Sequence, residues 1–346
     1  MQKLSVLYDN FTDFLSKHKV PSIIVLYAVL IALPQLGIGQ YLTRVLCLIG
    51  VYSILGLSLN MIAGYMGQTS MGHAALYCLG GYFSALPGVW FGLPFWITLI
   101  FGIIGGALGG LILGISTMRL SGSYMAVITL AFGEVVKMIV INWQDVTNGP
   151  LGVRNIPRPN FFGIELTTAN GGFFYLVLVL VTIAVLVSVC VVNSKFGRAV
   201  RAIKEDELAA KLMGVNTAAY RIKTIMISGA MAGMAGAFYA SMNRYIDANT
   251  FSFDVSMTIL SIVIFGGMGS IPGMIIGSTL LTGFPEAFRA LADYRYVIYG
   301  LILILMMRFR PQGLLGGLSK KPYKLPKGVS LKAAAADNAE AGKQVK

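Results

Sequence analysis

The chain has 346 residues, of which 56% are apolar and 12% charged; it carries 41 glycines and its mean hydropathy is +0.75. That balance excludes a soluble domain, because runs of about 20 apolar residues at ~1.5 Å rise cross the ~30 Å hydrocarbon core, and the runs here are continuous where a β-barrel would alternate. The formal charge of +13 does not indicate nucleic acid, since the basic residues flank apolar runs and do not form one basic face.

In chain order, residues 1–20 place Leu4, Leu7, Phe11, Phe14 and Leu15 on one helical face, with Lys3, Asp9, Asp13 and Lys17 elsewhere. This is the pattern of an amphipathic helix lying on a membrane. A first span is expected at 21–38. From Val45 to Met118 there is no Asp, Glu, Lys or Arg, which leaves room for three spans at about 45–63, 70–87 and 94–117. The join between the first two is polar and glycine-rich, GYMGQTSMGHAAL. Broken helices at membrane depth are tolerated only where they line a cavity or are buried in protein. Asn60, Gln68, Ser70 and His73 are therefore candidates for a pathway lining, with His73 read as a hydrogen-bonded packing residue and not a metal ligand. Gly102, Gly106, Gly110 and Gly114 recur every four residues, a stripe that lets another helix approach closely.

A fifth span at 124–142 holds Glu134 and Lys137 in an otherwise uncharged run. Three residues apart, they can share a helix face and pair; Glu134 joins the pathway candidates as a polar lining or gate, with a structural pair near the outer boundary as the alternative. The loop 143–172 is rich in turn chemistry, Asn148-Gly149-Pro150 and Pro157-Arg158-Pro159. Further spans follow at 173–193 and 222–243, the latter with a second small-residue stripe at Gly229 and Gly233. The uncharged run Val255–Pro285 is interrupted by GGMGSIPG at 266–273, so a short or discontinuous helix is expected, then others at 274–291 and 296–308. The basic tail 310–346 lacks core-forming residues and is expected to be largely disordered. Cys47, Cys78 and Cys190 have no metal-ligand spacing and are read as packing residues.

The segment 195–223 stands apart. Lys195, Arg198, Arg201, Lys204, Lys211, Arg221 and Lys223 surround Glu205, Asp206 and Glu207, with long uncharged runs on both sides. Gly214 suits the left-handed end of a short helix. The segment reads as a charged helix held between spans, either an ordinary basic loop or a docking element for a soluble partner. The fold expected is all-α, a transmembrane bundle of about ten spans (8–10), 21–309, with both termini and 195–223 cytoplasmic, as the positive-inside rule requires.

No phosphate-binding G-x-x-x-x-G-K-[ST] loop, catalytic constellation or metal-ligand spacing occurs in the sequence. The chain reads as a conduit without an engine of its own, against the alternatives of an ion-coupled carrier using Glu134, or a membrane enzyme or structural subunit.

The segments GLSLNMIAGYMGQTSMGHAA (56–75), RLSGSYMAVITLAFGEVVK (119–137), NGPLGVRNIPRP (148–159), GRAVRAIKEDELAAKLMGVN (197–216), IFGGMGSIPG (264–273) and RPQGLLGG (310–317) resemble the permease subunits of bacterial branched-chain amino acid ABC importers, the LivH/LivM family. Related permeases import urea and short-chain amides, and these motifs do not separate them. The resemblance implies a non-catalytic inner-membrane subunit paired with a second related permease in a heterodimer. It implies two ATPase subunits that hold ATP and Mg, a periplasmic solute-binding protein, and no cofactor on this chain. It makes 195–223 a coupling element, with Arg201, Lys204, Glu205, Asp206, Glu207, Ala209, Ala210, Gly214 and Val215 at the ATPase, and Arg198 and Arg201 near anionic lipid or acidic partner residues.

Overall fold

The computed structural model describes residues 39–120, 122–161, 164–168 and 171–287, with 297, 300, 301, 304, 308 and 313–315. The expected amphipathic segment 1–20, the span 21–38 and nearly all of the tail lie outside the described residues. Among the described residues seven helices are long and apolar enough to cross a membrane, and an eighth apolar helix, Ile271–Gly283, is shorter.

Helix α1 (Gln40–Asn60) passes into a π-helical turn, Met61–Tyr65. Then come α2 (His73–Phe91), α3 (Phe95–Thr117), α4 (Ser123–Asn142) and a single turn, α5 (Gln144–Thr147). Helix α6 (Gly172–Asn193) leads into two short helices, α7 (Lys195–Glu205) and α8 (Glu207–Leu212), and these into α9 (Thr217–Asn243). Helices α10 (Phe253–Gly266) and α11 (Ile271–Ala287) flank the second glycine-rich break. The seventh expected span thus begins five residues early. Arg221 and Lys223 do not stop it, because Arg221 is buried and hydrogen-bonded inside the bundle.

Close backbone approach explains the glycine stripes. A Cβ on Gly106 would lie 2.2 Å from the Gly229 carbonyl oxygen, and one on Gly233 2.2 Å from that of Gly102. The seam continues to Gly110 on Ile225 and Gly114 on Ile222, so α3 and α9 run antiparallel. Helix α2 enters the same seam through Gly80, whose Cβ would fall 2.1 Å from the Gly233 Cα. Small residues let membrane helices gain dispersion contacts and backbone proximity that a side chain would forbid. The core consequently centres on α1 and α9, each 78% buried along its membrane-crossing stretch, against 28% for α4 and for α6.

At one end of the bundle the two long loops cap each other. Strand β1 (Val153–Arg154) and the later β4 (Tyr245–Ile246) pair antiparallel, and β2 (Asn160–Phe161) pairs with β3 (Ile164–Glu165). The turn chemistry is realised: Asn148 and Asn155 take left-handed φ of 57° and 60°.

One alternative and one expectation fail. Among the described residues the ion pairs are Arg221–Glu207 and Arg158–Glu165, and Glu134 does not pair with Lys137. Both side chains are half-buried on a flank of α4, where nothing fixes the rotamers a pair needs. Cys47 and Cys78 are buried, but Cys190 is exposed, because it falls on the outer face of α6 with Leu186 and Val189.

Candidate functional site

The charged segment folds as two capped helices. The Ser194 hydroxyl accepts from the Gly197 amide (3.2 Å) to start α7, and the Asp206 carboxylate accepts from the Ala209 amide (3.0 Å) to start α8. Gly214, at φ +83°, ends α8: its amide donates to the Lys211 carbonyl and that of Val215 to the Ala210 carbonyl, both at 3.1 Å. Asn216 then caps α9 through the Ala219 amide at 3.1 Å. Each turn of chain between 193 and 217 is thereby fixed by a side chain or a glycine. Arg201 bends back to the end of α6, donating to the Val192 carbonyl and, at 3.3 Å, to that of Gly197.

This element sits on the first helix break. A π-turn widens the helix and leaves carbonyls without their usual partners. The Gly64 carbonyl accepts from Lys204 Nζ at 2.7 Å. Gly67, at φ +74°, lies under the Lys204 alkyl chain, where a Cβ would come within 2.8 Å of Cγ. The Gln68 backbone N–H donates back to the Ile62 carbonyl at 3.1 Å.

Arg221 joins the same ensemble from α9. It is 5% exposed. Its Nη1 donates to the carbonyls of Met118 and Leu120 at the end of α3, both at 3.1 Å. Its Nη2 forms the ion pair with Glu207 at the start of α8. With the Gln68 amide oriented by its hydrogen bonds, the side-chain oxygen accepts from Nε and Nη2, each at 3.0 Å.

The second break packs against the first. Asn60 Oδ1 accepts from the Gly269 amide at 2.8 Å. The carbonyls ending α10 are taken up by residues from the far end of the chain: Leu314 donates to Phe265 (2.9 Å) and Leu315 to Gly266 (3.2 Å). Gly313, at φ +77°, allows this approach, since a Cβ there would meet Gly267 Cα at 2.3 Å. Each discontinuity therefore carries its own set of backbone partners, as low-dielectric surroundings demand.

The predicted pathway residues are placed as follows. Asn60, Gln68, Ser70 and His73 gather around the first break and all are buried. His73 Nε2 lies 2.8 Å from Ser58 Oγ. That hydroxyl donates to the Ser228 carbonyl (2.6 Å), and Ser228 Oγ donates to the Ser58 carbonyl (2.7 Å). Ser58 has one proton to give, so Nε2 carries the hydrogen and Nδ1 is left as an acceptor. Asn60 Nδ2, Ser70 Oγ and His73 Nδ1 are buried without partners among the described residues. Glu134 stands apart on α4, half-buried, and no hydrogen bond joins it to those four among the described residues.

Of the predicted coupling residues, Glu205, Asp206, Ala209 and Gly214 face outward and Val215 is half-buried, while Ala210 is buried. Glu207 turns inward to Arg221. The outward face carries large apolar groups that charge reading passed over: Leu208, Leu212 and Met213 are 68%, 79% and 84% exposed. Arg221 is not among the predicted site residues, since by charge it is one more basic residue of 195–223; its position inside an apolar helix is the available signal. Ser58 and Ser228 carried no sequence signal beyond being polar within spans.

Residues 41–307 match the family model for the permease component of branched-chain amino acid transport systems. The chain is 35% identical over 287 residues to the high-affinity branched-chain amino acid transport system permease protein LivM of Salmonella typhimurium, covering 77% of this chain and 68% of that protein. It is 34% identical over 302 residues to the Escherichia coli K12 LivM (81% and 71% covered), and 27% identical over 292 residues to the LivH permease of the same organism (77% and 91%). No solved structure matches. The helical bundle, its polar breaks and these similarities agree, and the chain belongs to the family of branched-chain amino acid transport permeases, as a membrane permease component.

Proposed function

We propose that this chain is one half of a heterodimeric permease in the inner membrane, that two ATPase subunits drive it through 195–223, and that a solute-binding protein delivers branched-chain amino acids to the opposite end. The observation that carries the docking assignment is the outward apolar patch Leu208, Leu212 and Met213. Leu208 and Leu212 are one helical turn apart, and α8 is fixed at both ends by Asp206 and Gly214. A rigid, exposed apolar cluster with the exposed Glu205, Asp206 and Lys211 beside it in the chain has the composition of a protein–protein contact, an apolar centre in a charged rim. The acidic residues then act differently from one another: Glu205 and Asp206 lie on the rim, while Glu207 belongs to the bundle.

Ten spans with both termini cytoplasmic fit this arrangement. Helix α11 departs from the break end, and Gly313–Leu315 lie at that same end, which supports an even number of spans on this reading. A further crossing at 21–38 brings the N-terminus to the same side, where the basic residues concentrate. Nucleotide and Mg belong to the ATPase partners.

The test is Leu212→Glu in the native membrane. The chain should reach the membrane at wild-type level but no longer co-purify with P-loop ATPases in mild detergent. Undiminished co-purification contradicts the docking assignment.

A further inference from the structure

We infer that Arg221 is a positioning residue that latches the docking helix to the first helix break, so that movement of α8 is transmitted to the Met61–Tyr65 turn. This rests on the docking role proposed above and assigns the route by which it acts.

A guanidinium has five N–H donors in a fixed fork. All five are used: the carbonyls of Met118 and Leu120 take those of Nη1, Glu207 and Gln68 take those of Nη2, and Gln68 takes that of Nε. A buried, fully satisfied Arg is costly to leave half-paired, so its partners move with it or the set breaks as a unit. Those partners are the end of α3, the docking helix and the break itself. Helix α8 has six residues and only Ala210 buried, so the ion pair to Arg221 is a principal attachment to the bundle. Lys204 provides a parallel tie, from α7 to the Gly64 carbonyl within the π-turn.

The turn is suited to receive the movement. A π-turn stands next to the α-helical register that would return the Gly64 carbonyl to a backbone donor, and Lys204 competes for that carbonyl. The second break is tied in through Asn60 and Gly269. Coupling requires an element with two arrangements that the partner binds unequally, and the π-turn with its exchangeable Lys204 bond provides one.

The test uses the complete importer, reconstituted in vesicles with its second permease, ATPases and binding protein. Uptake and ATP hydrolysis are measured together for Glu207→Gln, Arg221→Lys and Gln68→Leu. Each variant removes part of the latch and leaves the Leu208–Leu212–Met213 patch in place. Glu207→Gln is the mildest, since Glu207 is partly exposed and the amide oxygen still accepts one bond. The expected result is that ATPases still co-purify, hydrolysis persists, and uptake per ATP falls by about tenfold in Arg221→Lys and Gln68→Leu, as loss of one hydrogen bond to a charged group would give, and by less in Glu207→Gln, which loses the charge and keeps the bond. A merely structural role would lower uptake and hydrolysis together with the amount of folded complex, leaving their ratio unchanged, and an unchanged ratio in Glu207→Gln and Arg221→Lys overturns the latch. Failure of the docking assignment reads differently: Leu212→Glu would then retain its ATPases.

Discussion

The seam of α2, α3 and α9 and the broken end beneath it are built on opposite principles. The seam is held by backbone against backbone, with Gly80, Gly102, Gly106, Gly229 and Gly233 leaving no space for a methyl group. The broken end is held by side chains reaching across: Asn60 to Gly269, Lys204 to Gly64, Arg221 to Gln68 and Glu207. Close packing has one arrangement and resists deformation. A set of polar bonds around a π-turn and two glycine-rich breaks has alternatives of similar energy. The molecule places its rigid part through the membrane and its exchangeable part beside the proposed docking helix.

The sharpest way to break this contrast is to fill the seam. Gly106→Leu forces a side chain where the Gly229 carbonyl stands at 2.2 Å from the Cβ position. Overpacking costs about 1–3 kcal/mol when neighbours can shift and more when they are backbone. The expected outcome is loss of the folded monomer by detergent size-exclusion chromatography; a variant that folds fully and transports poorly would show that the stripe is not a packing device. Next is Asn60→Leu, which strands the Gly269 amide. Interhelical hydrogen bonds in membranes contribute about 0.6–2 kcal/mol, so a melting shift should appear in thermal unfolding, smaller than for Gly106→Leu. The smallest effect belongs to Gly214→Ala. Nothing lies within 4 Å of a Cβ there, so only the left-handed φ of +83° is penalised, by about 1 kcal/mol. Stability of the bundle should barely change, while α8 loses its defined end and ATPase co-purification weakens.

Hydropathy made most of the bundle legible because exclusion of charge from lipid is a local property. The uncharged run from Val45 to Met118 resolves into three crossing helices, and the break at 267–270 lies within the glycine-rich 266–273. What stayed hidden was tertiary satisfaction of polar groups. Arg221 looked like a loop residue, yet it lies inside α9 because Met118, Leu120, Gln68 and Glu207 converge on it. Glu134 and Lys137 looked like a pair, yet spacing alone does not fix rotamers on a half-exposed flank. The proposed docking element stands out in the sequence by its charge, but its outward face is apolar, because half of its charged groups are used to hold it in place. The RPQGLL motif of the tail gave no hint that Leu314 and Leu315 close the end of α10.

In the proposed assembly α8 presents its apolar face to an ATPase, and a photo-crosslinking amino acid at position 212 probes that contact. Irradiated in native membranes, it should yield an adduct with a P-loop ATPase, strongest when nucleotide is present, while the same probe at the outward-facing Ile104 of α3 should yield none. An adduct with lipid alone at position 212, or equal ATPase capture from both positions, would contradict the account.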